Sequence, residues 1–256
     1  MSDLFTRPQL KAASLRRGLS PTLWNQAPLA QHAVGGLDQG FGFIDDFLSY
    51  DDDSYRWNLT QDGSSGTGVM DPAAKGGVLL LDSASTSTGL GPDLQAGGAI
   101  PASSFIASAS SKIYFEARVK LADIAGPKLG AFVGLAAVLS PLIDSGANAS
   151  PNHVGFETFD SLTLTFATEK GGARSSDTSA GTIVDDTYIK LGFVIDGLDK
   201  VTPFVNGVAG TAITTGSTNL PIVGMTPSLC VRSLGTTDPI MHIDWVACYQ
   251  EENIAN

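Results

Sequence analysis

The stretch Lys112-Ile-Tyr-Phe-Glu-Ala-Arg-Val-Lys-Leu121 alternates two kinds of side chain without a break. Successive side chains of an extended chain face opposite ways. Ile113, Phe115, Ala117, Val119 and Leu121 therefore share one side, and Lys112, Tyr114, Glu116, Arg118 and Lys120 share the other. Wound into a helix, the five apolar residues would scatter around the axis. The period dictates a strand with one face in a core and one toward water.

The same period recurs along the chain. Leu162, Leu164 and Phe166 alternate with Thr163 and Thr165, and Ile189, Leu191, Phe193 and Ile195 alternate with Lys190 and Gly192. Near the end, Met241, Ile243, Trp245, Ala247 and Tyr249 are expected on one face, opposite His242, Asp244 and Gln250. Leu229 and Val231 flank Cys230. Gly77 to Asp82 and Ala131 to Leu139 are continuously apolar and read as buried strands, a short helix staying open for the second. Turn-forming clusters separate these runs: Asp62 to Gly66, Gly89 to Pro92, Gly171-Gly172 and Asn206-Gly207. Asn-Gly is a hairpin signal because both positions tolerate positive φ. About ten short strands with few helices between them predict an all-β, antiparallel β-sandwich or jelly roll. The 29 glycines and the charged share of only 16% fit a turn-rich β-protein.

Residues 1–40 have no sustained period. Pro8, Pro21 and Pro28 and several glycines interrupt any long helix there, leaving room for a short one over Gln9 to Arg17. The expected organisation is an irregular, extended N-terminal arm over 1–40 and one sandwich over 41–256. Leu23 and Trp24 are large apolar residues in this arm, and docking on the sandwich or on another chain both remain open.

The net charge of −11 argues against nucleic-acid binding, which needs a broad basic face. The bases are unevenly placed, however. Arg7, Lys11, Arg16 and Arg17 crowd the first 17 residues with Asp3 alone opposing them, while Asp45, Asp46, Asp51, Asp52 and Asp53 form an acidic block. Such asymmetry suggests an arm that reaches for an acidic partner surface. No secretory signal is recognised, and the longest apolar run, Leu129 to Leu139, is far short of the ~20 residues that cross a bilayer. The two cysteines, Cys230 and Cys248, are expected to be free core thiols.

Catalytic constellations are sparse. His32, His153 and His242 lie in arm, loop and strand, without partners at metal-ligand spacing. No Gly-x-Ser-x-Gly elbow or phosphate loop is present. Glu157 and Asp160 are three apart in an expected strand and so face opposite ways, whereas paired carboxylate chemistry needs them together. Glu116 and Asp244 are placed on outward faces. Asp51 to Asp53 do not match a calcium loop. The expectation is a protein that is not an enzyme and carries no metal or cofactor.

The segments KIYFEARVKL (112–121), IKLGFVIDG (189–197) with FVNG (204–207), and IMHIDWVACYQ (240–250) resemble the concanavalin A-like jelly roll. Phe43-Ile-Asp-Asp-Phe-Leu48 and Tyr55-Arg-Trp57 are similar to the opening of related bacteriophage structural proteins. Laminarinase-type hydrolases share the E-A-R-x-K strand and follow it with an E-x-D-x-E strand. Here Gly155, Glu157 and Phe159 hold the corresponding alternate positions, so that catalytic set is incomplete. The resemblance implies a virion structural protein of the capsid decoration or cement type, made in the host cytoplasm and ending on the outer capsid surface. It implies a homotrimer whose partner is the major capsid protein, with neither nucleic acid nor membrane bound. In that reading Arg7, Lys11, Arg16 and Arg17 supply charge pairing, and Leu23 and Trp24 the apolar anchor. Two other functions stay open. One is a glycan-binding module of a tail or head fibre, with Tyr50, Tyr55 and Trp57 as exposed aromatics. The other is a polysaccharide hydrolase-like domain without recognisable catalytic acids.

Overall fold

The computed structural model describes residues 18–25, 27, 40–51, 56–62, 65–97, 105–124, 128–144, 147–148 and 150–251. Two antiparallel sheets form a sandwich. Across sheet A run β15 (Val208–Ala209), β14 (Lys200–Val205), β13 (Thr187–Asp196), β6 (Lys112–Ala122), β18 (Ile240–Glu251), β4 (Leu79–Asp82) and β3 (Thr67–Met70). In addition β1 (Gly40–Asp45) pairs with β18, and β16 (Ile213–Thr214) with β14. Sheet B runs β12 (Ala173–Thr182), β11 (Thr163–Lys170), β10 (Asn152–Phe159), β7 (Leu129–Ala136), β17 (Thr226–Ser233), β5 (Pro92–Ala96) and β2 (Trp57–Gln61). A small hairpin, β8 (Ile143–Asp144) with β9 (Ala147–Asn148), lies in the connection from β7 to β10. Among the described residues the helices are one turn each, α1 (Pro21–Trp24) and α2 (Gly216–Asn219).

The alternation of β6 and β13 becomes the core directly. Their register sets Phe115 opposite Phe193, Ala117 opposite Leu191 and Ile113 opposite Ile195, so apolar side chains meet as cross-strand pairs. Phe115 and Phe193 stack with centroids 5.0 Å apart. Phe166, from the other layer, touches Phe193 at 5.6 Å and Phe156 at 4.9 Å, which ties the two sheets through one aromatic chain. The run from Ala131 is strand, not helix, and Cys230 and Cys248 are free and buried. At the expected hairpin, Asn206 and Gly207 have φ of 51° and 75°, the pair of positive values a tight primed turn requires.

The expectation fails in one strand. Met241 and Ile243 do belong to the core, but from there Val246 and Cys248 point inward while Trp245, Ala247 and Tyr249 point out. A register shift between Ile243 and Trp245 is the cause, since one extra residue exchanges the faces of everything beyond it. At the same place the edge neighbour changes: Ile240–Ile243 pair with β4, whereas 246–251 pair with β1.

Candidate functional site

The outer face of sheet A is partly covered by the chain's own N-terminal side. Pro21 at the first turn of α1 fixes a short helix that sets Leu23 and Trp24 on Tyr114, Trp245, Ala247 and Tyr249. Beneath them lies Glu116, fully buried although its strand position points away from the core. The Ser20 backbone N–H and the Trp24 indole Nε1–H both donate to Glu116 Oε2, each at 2.9 Å. Lys190, also buried, donates from Nζ to the Gly18 carbonyl at 3.1 Å. Burial raises the Glu116 carboxyl above its ordinary range, with the Ser20 and Trp24 bonds and the Lys190 charge working the other way. Sequence alternation located Glu116 and Lys190 on the outer face but could not show that a segment far upstream would close over them.

The outer face of sheet B is covered differently. Leu142 and Ile143, from the β7–β10 connection, pack on Phe132, Ala136 and Cys230, with Phe159 alongside. Gln95 and Asp93 of β5 hold this cover by polar bonds. The Leu139 N–H donates to Gln95 Oε1 at 3.2 Å, the Leu142 N–H to Asp93 Oδ2 at 3.1 Å, and the Ser140 hydroxyl to the same oxygen at 3.2 Å. Arg232 Nη2 donates to Asp93 Oδ2 at 2.8 Å, and its Nη1 reaches Asp62 at 3.0 Å and the Gly89 carbonyl at 2.8 Å. Burial raises the Asp93 carboxyl despite the opposing Arg232 charge.

Beside this cover stands the densest set of chemistry-bearing groups on the face. Glu157 of β10 and Glu169 of β11 both pair with the Arg174 guanidinium of β12. His153, four positions back on the same strand face, is fully buried with Nε2 3.7 Å from Glu157 Oε2, too long for a hydrogen bond. Its Nδ1 lies 2.7 Å from the Ser150 carbonyl, and its ring meets Phe132 edge-on at 5.7 Å. Burial holds the His153 imidazole below its ordinary value, although the Glu157 charge acts against that. Gly155 sits between them. A Cβ there would fall 2.7 Å from the Val133 carbonyl and 2.8 Å from the Phe132 ring, so no acid fits at this step of the strand.

No family model and no curated protein matches the sequence. Solved structures do. A protein of unknown function from Shewanella oneidensis MR-1 superposes with a TM-score of 0.61 at 12% identity, over 94% of this chain and 98% of that one. A glycoside hydrolase family 16 endo-glucanase from Bacteroides ovatus gives 0.53 at 14% identity, over 80% of this chain and 98% of its own. The endo-β-1,3-glucanase of Pyrococcus furiosus gives 0.52 at 14%, over 82% and 94%. The chain shares their β-sandwich jelly-roll fold. That agrees with the concanavalin A-like body expected from the sequence. It also corrects the expectation that the chain is not an enzyme. That expectation rested on the sparse catalytic motifs of the sequence, and solved endo-glucanases have the same fold, so the fold does not set this chain apart from enzymes.

The residues singled out earlier fall in several places. Arg7, Lys11, Arg16, Arg17, Tyr55, Asp52, Asp53 and His32 lie outside the described residues. Leu23 and Trp24 are buried on this chain's own sheet, so of the two dockings left open the described one is internal. Trp57 is no exposed platform: it lies in the core between Phe43 and Phe47, its Nε1–H donating to Asp45 Oδ2 at 2.9 Å. Asp45 is thereby removed from the acidic block and serves as an internal acceptor, also bonded by the Phe47 N–H. Tyr50 packs against the core. His153 is not in a loop but near the start of β10. Glu157 and Asp160 are not brought together: Asp160 follows the strand and pairs with Lys128 at 3.2 Å. Asp244 is buried and bonded to Arg118 at 2.6 Å.

Proposed function

We propose that the chain is a bacteriophage virion structural protein of the capsid decoration type, an acidic jelly-roll body attached to the shell through its N-terminal segment. The observation that carries this reading is the fixed root of that segment. The Glu116 bonds to Ser20 and Trp24, with the burial of Leu23, pin residues 18–24 to sheet A. Residues 1–17 thus depart from a defined point on the body. Their charge is also opposite to that of the body. With four of the 15 bases and one of the 26 acids in residues 1–17, the rest carries 11 bases against 25 acids. Arg7, Lys11, Arg16 and Arg17 would steer and pair with an acidic shell surface, an interaction weakened by salt.

The test is composition and attachment. Purified particles should contain the chain in fixed ratio to the major shell protein. Changing Arg7, Lys11, Arg16 and Arg17 together to Glu should abolish co-sedimentation with stripped shells while leaving the melting temperature unchanged. Normal attachment of that variant would defeat the reading.

A second reading is favoured by the carboxylates of sheet B. Glu157 and Glu169, held by one guanidinium on a fold shared with endo-glucanases, support a carbohydrate-directed activity. It predicts sugar release from a mixed-linkage or β-1,3-glucan that disappears in Glu157→Gln. A wild-type protein that releases nothing from either ends it.

A further inference from the structure

The edge partner of β18 changes from β4 to β1 along its length, and the two partner strands meet around Asp244 and Trp245. A pocket of about 390 Å³ opens at this notch, lined by Trp245, Ile44, Asp46, Leu48, Gly76, Gly18 and Leu19. Two of its walls are large apolar side chains facing solvent, Ile44 at 54% and Leu48 at 71% exposure. Two adjacent apolar side chains left this exposed beside a pocket make it a candidate contact surface.

We propose that the notch is the docking site for the N-terminal segment of a second copy of this chain. Three features of that segment fit it. First, it supplies large apolar residues each followed closely by a base: Phe5 with Arg7, Leu10 with Lys11, and Leu15 with Arg16. An apolar side chain would enter the pocket while the adjacent cation meets Asp46 on its rim. Second, the body carrying the notch is strongly acidic and the segment is basic, so the segment of one copy is attracted to the body of a neighbour. Third, Gly18 is itself part of the pocket wall, so the root of each copy's segment lies beside the notch that a neighbour's segment would enter. Copies arranged about a common axis through this region need each segment to cross only one boundary, which is the geometry of a closed head-to-tail assembly. The inference goes beyond shell attachment: apolar residues of the segment would lace neighbouring copies together, and its remaining bases would stay available for the shell.

The experiment uses full-length chains measured by light scattering. Wild type is expected to self-associate. Leu48→Asp, which destroys the notch at an exposed position, should be monomeric with an unchanged melting temperature. A chain carrying Phe5→Asp, Leu10→Asp and Leu15→Asp should be monomeric too. Mixed in equal amounts, the two variants should form a species of twice the monomer mass, because one retains the segment and the other the notch. A monomeric wild type would overturn the proposal, as would association that survives either variant. A mixture that stays monomeric would overturn it as well. None of these measurements involves a shell, so failure here is distinct from failure of shell attachment.

Discussion

The two outer faces of this sandwich are both partly covered by the chain itself, yet by unlike means. Sheet A is covered from a distance, by α1 near the N-terminus, and the contact centres on one carboxylate, Glu116, that accepts two bonds. Sheet B is covered locally, by the connection between two of its own neighbouring strands, and the contact is spread over Asp93, Gln95, Arg232 and an apolar cluster. A distant cover can detach as a unit and leave the sandwich standing. A local cover is bound into the sheet at both ends, so disturbing its supports disturbs the sheet.

The largest effect should therefore come from sheet B. Arg232→Met leaves Asp93 buried without its cation, and a loss of about 3–5 kcal/mol is expected in denaturant unfolding. The double change Arg232→Met with Asp93→Leu should recover much of it. On sheet A, Trp24→Ala removes a buried aromatic and one of the Glu116 bonds, for about 3 kcal/mol. The distinguishing result is its form: hydrogen exchange should show residues 18–25 opening while sheet B keeps its protection. Gly155→Ala should cost about 1–3 kcal/mol, since the added methyl must displace the Phe132 ring or the Val133 carbonyl.

The covers should also answer acid with opposite signs. His153 has a folded value below its ordinary 6.5, so its contribution is fully present above 6.5 and is lost as pH falls through the lower folded value. The Asn152 and His153 amides should lose protection over that range, and His153→Gln should remove the dependence. Glu116 is raised above 4.5, so its stability term grows as pH falls through the raised value and is complete below 4.5. Protection of residues 18–25 should thus increase on mild acidification while the Ser150 end weakens. Asp93, raised as well, acts in the Glu116 sense at the far end of the sheet B cover, which is why the readout belongs at Asn152 and His153. The smallest effect is expected at Lys128, whose half-exposed pair with Asp160 should be worth below about 0.5 kcal/mol on replacement by Ala.

What could be read from the sequence follows the same division. Alternation in β6 and β13 assigned the core-facing residues correctly, because a period of two reports the face of each residue. It assigned Glu116, Lys190 and Asp244 to outer faces, also correctly, but not their burial, which depends on segments far away in sequence. The expected single face from Met241 to Tyr249 broke at Asp244 because a bulge carries no residue signature of its own in this strand. Gly155, Glu157 and Phe159 were rightly set on one face. That Phe132 occupies the space an acid at 155 would need became visible only with the neighbouring strand in place.

The extra residue in β18 has a consequence for how this chain can vary in length. Deleting one position between Ile243 and Trp245 would turn Trp245, Ala247 and Tyr249 inward and expel Val246 and Cys248, so the landing ground of Trp24 would vanish along with the second half of the core. Insertions and deletions elsewhere in the loops are local events. Here a single codon governs whether the beginning of the protein has anything to hold.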